Sequence, residues 1–97
     1  MASNISTSLI ISTYNRSDAL ELCVKSVLRQ SLLPDEIIIA DDGSKEDTRE
    51  LIHQLAASSE VPIIHVWHED LGFRLASIRN KAIAKASKEY IIQIDGD

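Results

Sequence analysis

The sequence is short of the residues that staple, hinge or decorate small folds. Its one cysteine, Cys23, excludes a disulfide framework and any metal cluster built on cysteine. Only two prolines and three glycines are spread along 97 residues, and no repeat or low-complexity stretch is present. Aromatic residues make up 4%, too few for an aromatic-rich binding platform. Positive charge is scarce as well. Ten Lys and Arg against fifteen Asp and Glu leave a net charge of −5, which disfavours a nucleic-acid backbone or an anionic membrane as main partner. No apolar run approaches the ~20 residues of a membrane helix, and no signal-peptide pattern opens the chain. A lone cysteine without a leader segment points to a reducing, cytoplasmic location.

What is present is a globular balance, 44% hydrophobic and 26% charged, in which Ile, Leu and Val dominate. Residues 1–8 are polar and Ser-rich and read as a loose lead-in to one domain over residues 9–97. Four β-branched runs follow, at residues 9–13, 36–40, 62–66 and 90–94. Their near-continuous hydrophobicity suits strands covered on both faces. Helical patterns separate them. Asp18 and Glu21 form a capping-box-like start, followed by Leu20, Val24, Val27 and Leu28 at helical spacing. Ser44 or Asp47 caps a second helix with Leu51, Ile52, Leu55 and Ala56 inward, and a third runs over about residues 74–87. The order β-α-β-α-β-α-β predicts an α/β fold: an open, doubly wound, mostly parallel sheet in three α/β/α layers. The expected strand order is 3-2-1-4, with a switch point between strands one and four.

Ligands of such sheets bind beyond the carboxyl ends of the strands, and every unusual cluster falls there. Strand one ends in Ser12-Thr13-Tyr14-Asn15-Arg16 and strand two in Asp41-Asp42-Gly43-Ser44. Strand three runs into Trp67-His68-Glu69-Asp70, and strand four into Asp95-Gly96-Asp97. Asp95 and Asp97 are either a solvated turn or hard oxygen ligands for Mg²⁺ or Mn²⁺, with Gly96 admitting a close approach of backbone or phosphate. Two adjacent carboxylates at Asp41 and Asp42 are costly unless a donor or cation meets them, and a nucleobase or ribose could supply the donors. Tyr14 is a base-stacking group or a packed loop aromatic. Arg79 lies on the apolar side of the third helix, where it pairs with Asp42 or Asp70 or contacts a phosphate. Trp67 and His68 could line the pocket, whereas His65 inside strand three reads as structural. A zinc spacing, a Gly-x-Gly-x-x-Gly turn and a Walker loop are all missing.

The runs Leu9-Ile10-Ile11-Ser12-Thr13-Tyr14-Asn15-Arg16, Ile38-Ile39-Ala40-Asp41-Asp42-Gly43-Ser44, Gly72-Phe73-Arg74-Leu75-Ala76 with Arg79-Asn80, and Tyr90-Ile91-Ile92-Gln93-Ile94-Asp95-Gly96-Asp97 resemble the family 2 glycosyltransferases of GT-A fold. The Gly-Phe-Arg-Leu-Ala segment is most similar to bacterial members that build surface polysaccharides. The resemblance implies that Ser12, Thr13 and Tyr14 hold the base of a nucleotide-sugar donor, foremost a UDP-sugar, and that Asp42 accepts a hydrogen bond from it. It places Arg79 near the nucleotide, and Asp95 and Asp97 at the ribose and a divalent cation, Mn²⁺ or Mg²⁺. It further implies transfer with inversion to a saccharide or lipid-linked acceptor, at or near the cytoplasmic face of the membrane. The general base of such enzymes lies well beyond the Asp-x-Asp motif, so the 97 residues resemble the donor-binding half of a longer domain, inactive alone. Two other readings stand beside it. Ile-Asp-Gly-Asp also resembles the strand-end motif of haloacid-dehalogenase phosphohydrolases, though there it opens the fold, and a non-catalytic α/β interaction module needs no base at all. Halving a doubly wound sheet would leave strand four, residues 90–94, as an apolar edge open to self-association.

Overall fold

The computed structural model describes residues 6–69 and 75–96, with backbone alone at residues 75 and 76. Strands β1 (Thr7–Thr13), β2 (Glu36–Asp41), β3 (Ile63–Trp67) and β4 (Tyr90–Asp95) alternate with helices α1 (Ser17–Leu28), α2 (Glu46–Ser58) and α3 (Leu75–Lys85). All strands are parallel, in the spatial order β3-β2-β1-β4. The expected topology is therefore the observed one. β1 starts two residues earlier than the hydrophobic run suggests, because Ser6 and Thr7 already bond to the β4 side and to Asp35.

The alternation of strand side chains sorts the core into two layers. Leu9, Ile11, Ile37 and Ile39 face one way and pack with Leu20, Val24 and Val27 of α1 and Ile52 and Leu55 of α2. Ile10, Ile38 and Ala40 face the other way and pack with Val66 and with Ile78 and Ala82 of α3. The handedness of βαβ crossovers explains this division. The chain moves outward from β1 to β3 over one face, then returns past β1 to reach β4, and a right-handed return must run over the opposite face.

Three local expectations are corrected. α1 has no side-chain cap; Glu21 instead pairs with Lys25 one turn on at 2.8 Å. Asp18 serves the first turn differently, its carboxyl held below the usual range first by the Ala19 N–H and also by Arg16. Neither Ser44 nor Asp47 caps α2, since Ser44 Oγ is engaged by the Asn15 N–H at 2.8 Å. Strand β4, finally, is not covered on both faces. Tyr90, Ile91 and Ile92 are exposed, because α3 packs over β1, β2 and β3 and leaves the outer strand bare. An apolar cavity of about 370 Å³ lies beside it, lined by Leu9, Val27, Leu32 and Ile92 among others.

The amino ends of the strands are pinned by one buried acid. Glu36 accepts from Ser8 Oγ at 2.5 Å, Ser87 N at 2.8 Å and Ser87 Oγ at 3.0 Å, joining β1, β2 and the turn before β4. Burial opposes ionisation here, but the Ser8 and Ser87 donors outweigh it and hold the carboxyl below its usual range. A depressed folded-state pKa stabilises the fold above the ordinary carboxylate range and is lost as pH falls through the lowered value. Glu36→Gln should accordingly cost about 1–3 kcal/mol near neutral pH by urea denaturation. The gap to wild type should close as pH drops below about 4. A pH-independent gap would contradict this account.

Candidate donor-binding site

The strand register brings the chemistry to two adjacent rungs of the sheet. Ser12 lies opposite Ala40 on one side and Asp95 on the other, while Thr13 lies opposite Asp41. Adjacent strands are about 4.8 Å apart, so these backbone positions form a short row of two rungs across β4, β1 and β2, with the side chains of Ser12 and Asp95 on one face and those of Thr13 and Asp41 on the other. Backbone bonds continue the ladder one residue further: Gly96 N–H donates to Ser12 O at 2.8 Å and Asp42 N–H to Thr13 O at 3.0 Å.

The two acids at the end of β2 have separate fates. Asp41 is fully buried and satisfied by the protein itself, with Oδ1 accepting from Ser44 N at 2.8 Å and Oδ2 from His65 Nε2 at 2.8 Å. A carboxylate only accepts, so the His65 ring donates through Nε2–H. His65 is thus structural, as its place inside the strand implied. Asp42, also buried, takes a hydrogen bond from His68 Nε2. The donors that two neighbouring acids require come in part from the chain and not solely from a ligand.

The loops are locked against each other above this row. Asn15 stands at φ 49° and Gly43 at φ 93°, the left-handed region that glycine enters without strain. Asn15 Oδ1 accepts from Lys45 N at 2.9 Å while Asn15 N–H donates to Ser44 Oγ, and Trp67 Nε1 donates to Ser44 O at 3.1 Å. By contrast, the hydroxyls of Ser12 and Thr13 are buried without a hydrogen-bond partner among the described residues, as is that of Thr48. Buried polar atoms are nearly always paired, so orphan hydroxyls at a strand end point to a ligand or a water.

Tyr14 is partly exposed just beyond β1. Arg79 is half-buried on α3 next to buried Ile78, and it makes no ion pair with Asp42 among the described residues. Of the three partners open to Arg79, Asp42 is met by His68 instead, Asp70 lies outside the described residues, and a phosphate stays open. Asp95 is exposed at the end of β4, and Asp97 lies outside the described residues. Among the described residues no three His, Cys, Asp or Glu gather to hold a metal. A magnesium-type ion needs only one or two carboxylates beside water and phosphate oxygens, so an exposed Asp95 fits a hard cation that arrives with a diphosphate. Cys23 offers no nucleophile: burial, and then the charge of Asp95, push its thiol up.

Sequence reasoning underrated His68. Its one visible signal was its place at the end of strand three, level with the two acids of strand two.

The sequence matches glycosyl transferase family 2 over residues 8–97. The chain belongs to that family. It is 34% identical over 91 residues to a chondroitin synthase of Escherichia coli, covering 93% of this chain and 13% of that protein. Its fold matches S. aureus TarS residues 1–349 with a TM-score of 0.76 at 22% identity, over 96% of this chain and 28% of the other. It also matches glucosyl-3-phosphoglycerate synthase from Mycobacterium tuberculosis, solved with Mn²⁺, UDP and glucosyl-3-phosphoglycerate, with a TM-score of 0.71 at 21% identity, over 97% and 34%. The family 2 chain thus spans only about an eighth of the chondroitin synthase and up to a third of these structures. The dehalogenase reading falls with this membership. Ile94 and Asp95 of the Ile-Asp-Gly-Asp run end a fourth strand here instead of opening a fold.

The glycine of that run has a structural duty. A Cβ at Gly96 would sit 2.8 Å from Ser12 O and 2.9 Å from Ile11 Cγ2. The first of these is backbone and has no room to retreat. What approaches Gly96 closely is the protein's own β1, which settles one use of the small residue. Gly96→Ala should lower stability by about 1–3 kcal/mol by denaturant titration, through wedging β4 from β1. An unchanged unfolding midpoint would refute that contact.

Proposed function

We propose that this chain binds a nucleotide-sugar donor, foremost a UDP-sugar, and that the whole protein transfers the sugar with inversion to a saccharide acceptor. The observation that carries the reading is a pair of buried hydroxyls at the end of β1, Ser12 on one face of the sheet and Thr13 on the other, neither with a hydrogen-bond partner among the described residues. Hydroxyls, with the buried Asp42 carboxylate just beyond β2, offer acceptors and donors of the kind a nucleobase edge requires, and Tyr14 is exposed next to them in sequence. Arg79, half-buried and without an ion-pair partner among the described residues, is a cation suited to a phosphate. Asp95, with Asp97, would hold the divalent cation and the ribose. When bound, such an ion supplies Lewis-acid neutralisation of the departing diphosphate. The polysaccharide character of the reaction is supported by the likeness to a chondroitin synthase, and a cytoplasmic site of action follows from the nature of such donors.

Calorimetric titration with UDP, GDP and dTDP, with and without Mn²⁺, tests this. UDP should bind most tightly, Mn²⁺ should strengthen it by about tenfold or more, and Asp95→Ala should abolish that gain. A folded protein that binds none of the three nucleotides sinks the proposal.

A second reading concerns partners. Tyr90, Ile91 and Ile92 expose an apolar edge strand, which supports self-association through β4. Sedimentation should show concentration-dependent dimers that Ile92→Lys removes. A monomer at all concentrations would end this reading.

A further inference from the structure

Asp42, His68 and Lys81 form a line from the end of β2, through the loop after β3, to α3. His68 is 7% exposed and Asp42 3%, so the pair is shielded from water. Lys81 Nζ lies 3.3 Å from His68 Nδ1. An ammonium group only donates, so Nδ1 must accept and the ring proton must sit on Nε2, facing the carboxylate. The backbone repeats the arrangement: Asp42 N–H donates to Thr13 O at 3.0 Å, and His68 N–H to Asp41 O at 3.4 Å. Main chain and side chain of Asp42 are therefore both fixed before any ligand arrives.

We infer that His68, oriented by Lys81, is a positioning residue for the donor nucleotide: it sets the plane of the Asp42 carboxylate that the base meets. The inference rests on the donor-site reading of Asp42. Its physical basis is preorganisation. A carboxylate left to rotate must be ordered when the base binds, and that ordering weakens binding; one held by a buried imidazole is ordered by folding. Compensating the buried charge of Asp42 needs any donor, whereas positioning needs a donor at this place with this direction. The two roles separate by experiment.

UDP is titrated, with Mn²⁺ present, into the wild-type protein and the His68→Ala, His68→Gln, Lys81→Met, Asp42→Asn and His68→Ala/Asp42→Asn variants. Near-ultraviolet circular dichroism checks each fold. His68→Ala should weaken UDP by about tenfold, the size of one lost oriented hydrogen bond. His68→Gln, whose amide keeps an N–H donor, should recover binding to within about threefold of wild type. The double variant should bind no worse than Asp42→Asn, because the two residues act as one unit. Lys81 is exposed, so Lys81→Met should leave the fold intact while weakening UDP by about threefold. It keeps the inference testable even if His68→Ala does not fold. A long-range ¹H–¹⁵N imidazole spectrum of the wild type should show His68 protonated at Nε2. Wild-type affinity in a folded His68→Ala or Lys81→Met variant, additive losses in the double variant, or a proton on Nδ1 would overturn the inference alone. Absence of UDP binding by the folded wild type overturns the donor-site reading and this inference with it.

Discussion

Strand β2 carries the constraint on which the rest depends, because it is buried along its whole length and yet begins and ends with acids. A buried carboxylate costs several kcal/mol unless donors surround it. At one end Glu36 is met by Ser8 and Ser87; at the other Asp41 is met by His65 and the Ser44 N–H. Each set of donors comes from a different neighbouring element. Satisfying β2 therefore fixes β1 and the turn before β4 at the amino edge, and β3 and the first loop of α2 at the carboxyl edge. A one-residue slip of β2 would turn its side chains to the wrong layer and strip both acids of their partners together.

The same cross-linking extends to the loops at the carboxyl edge. Asn15, Ser44, Lys45 and Trp67 close a ring of hydrogen bonds over the ends of β1, β2 and β3. A loop-built pocket would pay for its ordering on each binding event. Here that entropy is lost once, in folding, and the left-handed residues Asn15 and Gly43 let the two loops turn sharply enough to meet.

Much of the fold was legible because parallel crossovers leave few choices. Four β-branched runs spaced by helical stretches, with handedness fixed, reduce the choice to a few doubly wound orders, of which β3-β2-β1-β4 is the one observed. The helix starts were less legible. Ser44 has the right residue type for a cap, but Asn15, twenty-nine positions away, took its hydroxyl, and a tertiary bond of that range leaves no local mark. β4 misled for a related reason: Tyr90, Ile91 and Ile92 look like β2 in composition, and only the path of α3 decides which run is covered. Strand-end positions put Ser12, Thr13, Asp42 and Asp95 at the carboxyl edge of the sheet. They did not reveal that His68, and not Arg79, meets Asp42, since pairing depends on how far the loop after β3 folds back.

The acids of the carboxyl edge then divide by their distance from the switch point. Asp41 and Asp42 lie on the β2 side, where helices cover both faces, and they are 0% and 3% exposed. Asp95 lies across β1, where the return path of the chain leaves β4 bare, and it is exposed. Burial makes Asp41 a fastening for the fold, since both its oxygens are taken. Asp42, buried as well, takes a hydrogen bond from His68. Asp95 is exposed, where a carboxylate loses least solvation. Three acids of the same chemistry thus differ in solvent access. That gradient follows from the reversal of strand order, which leaves β4 outermost beside β1.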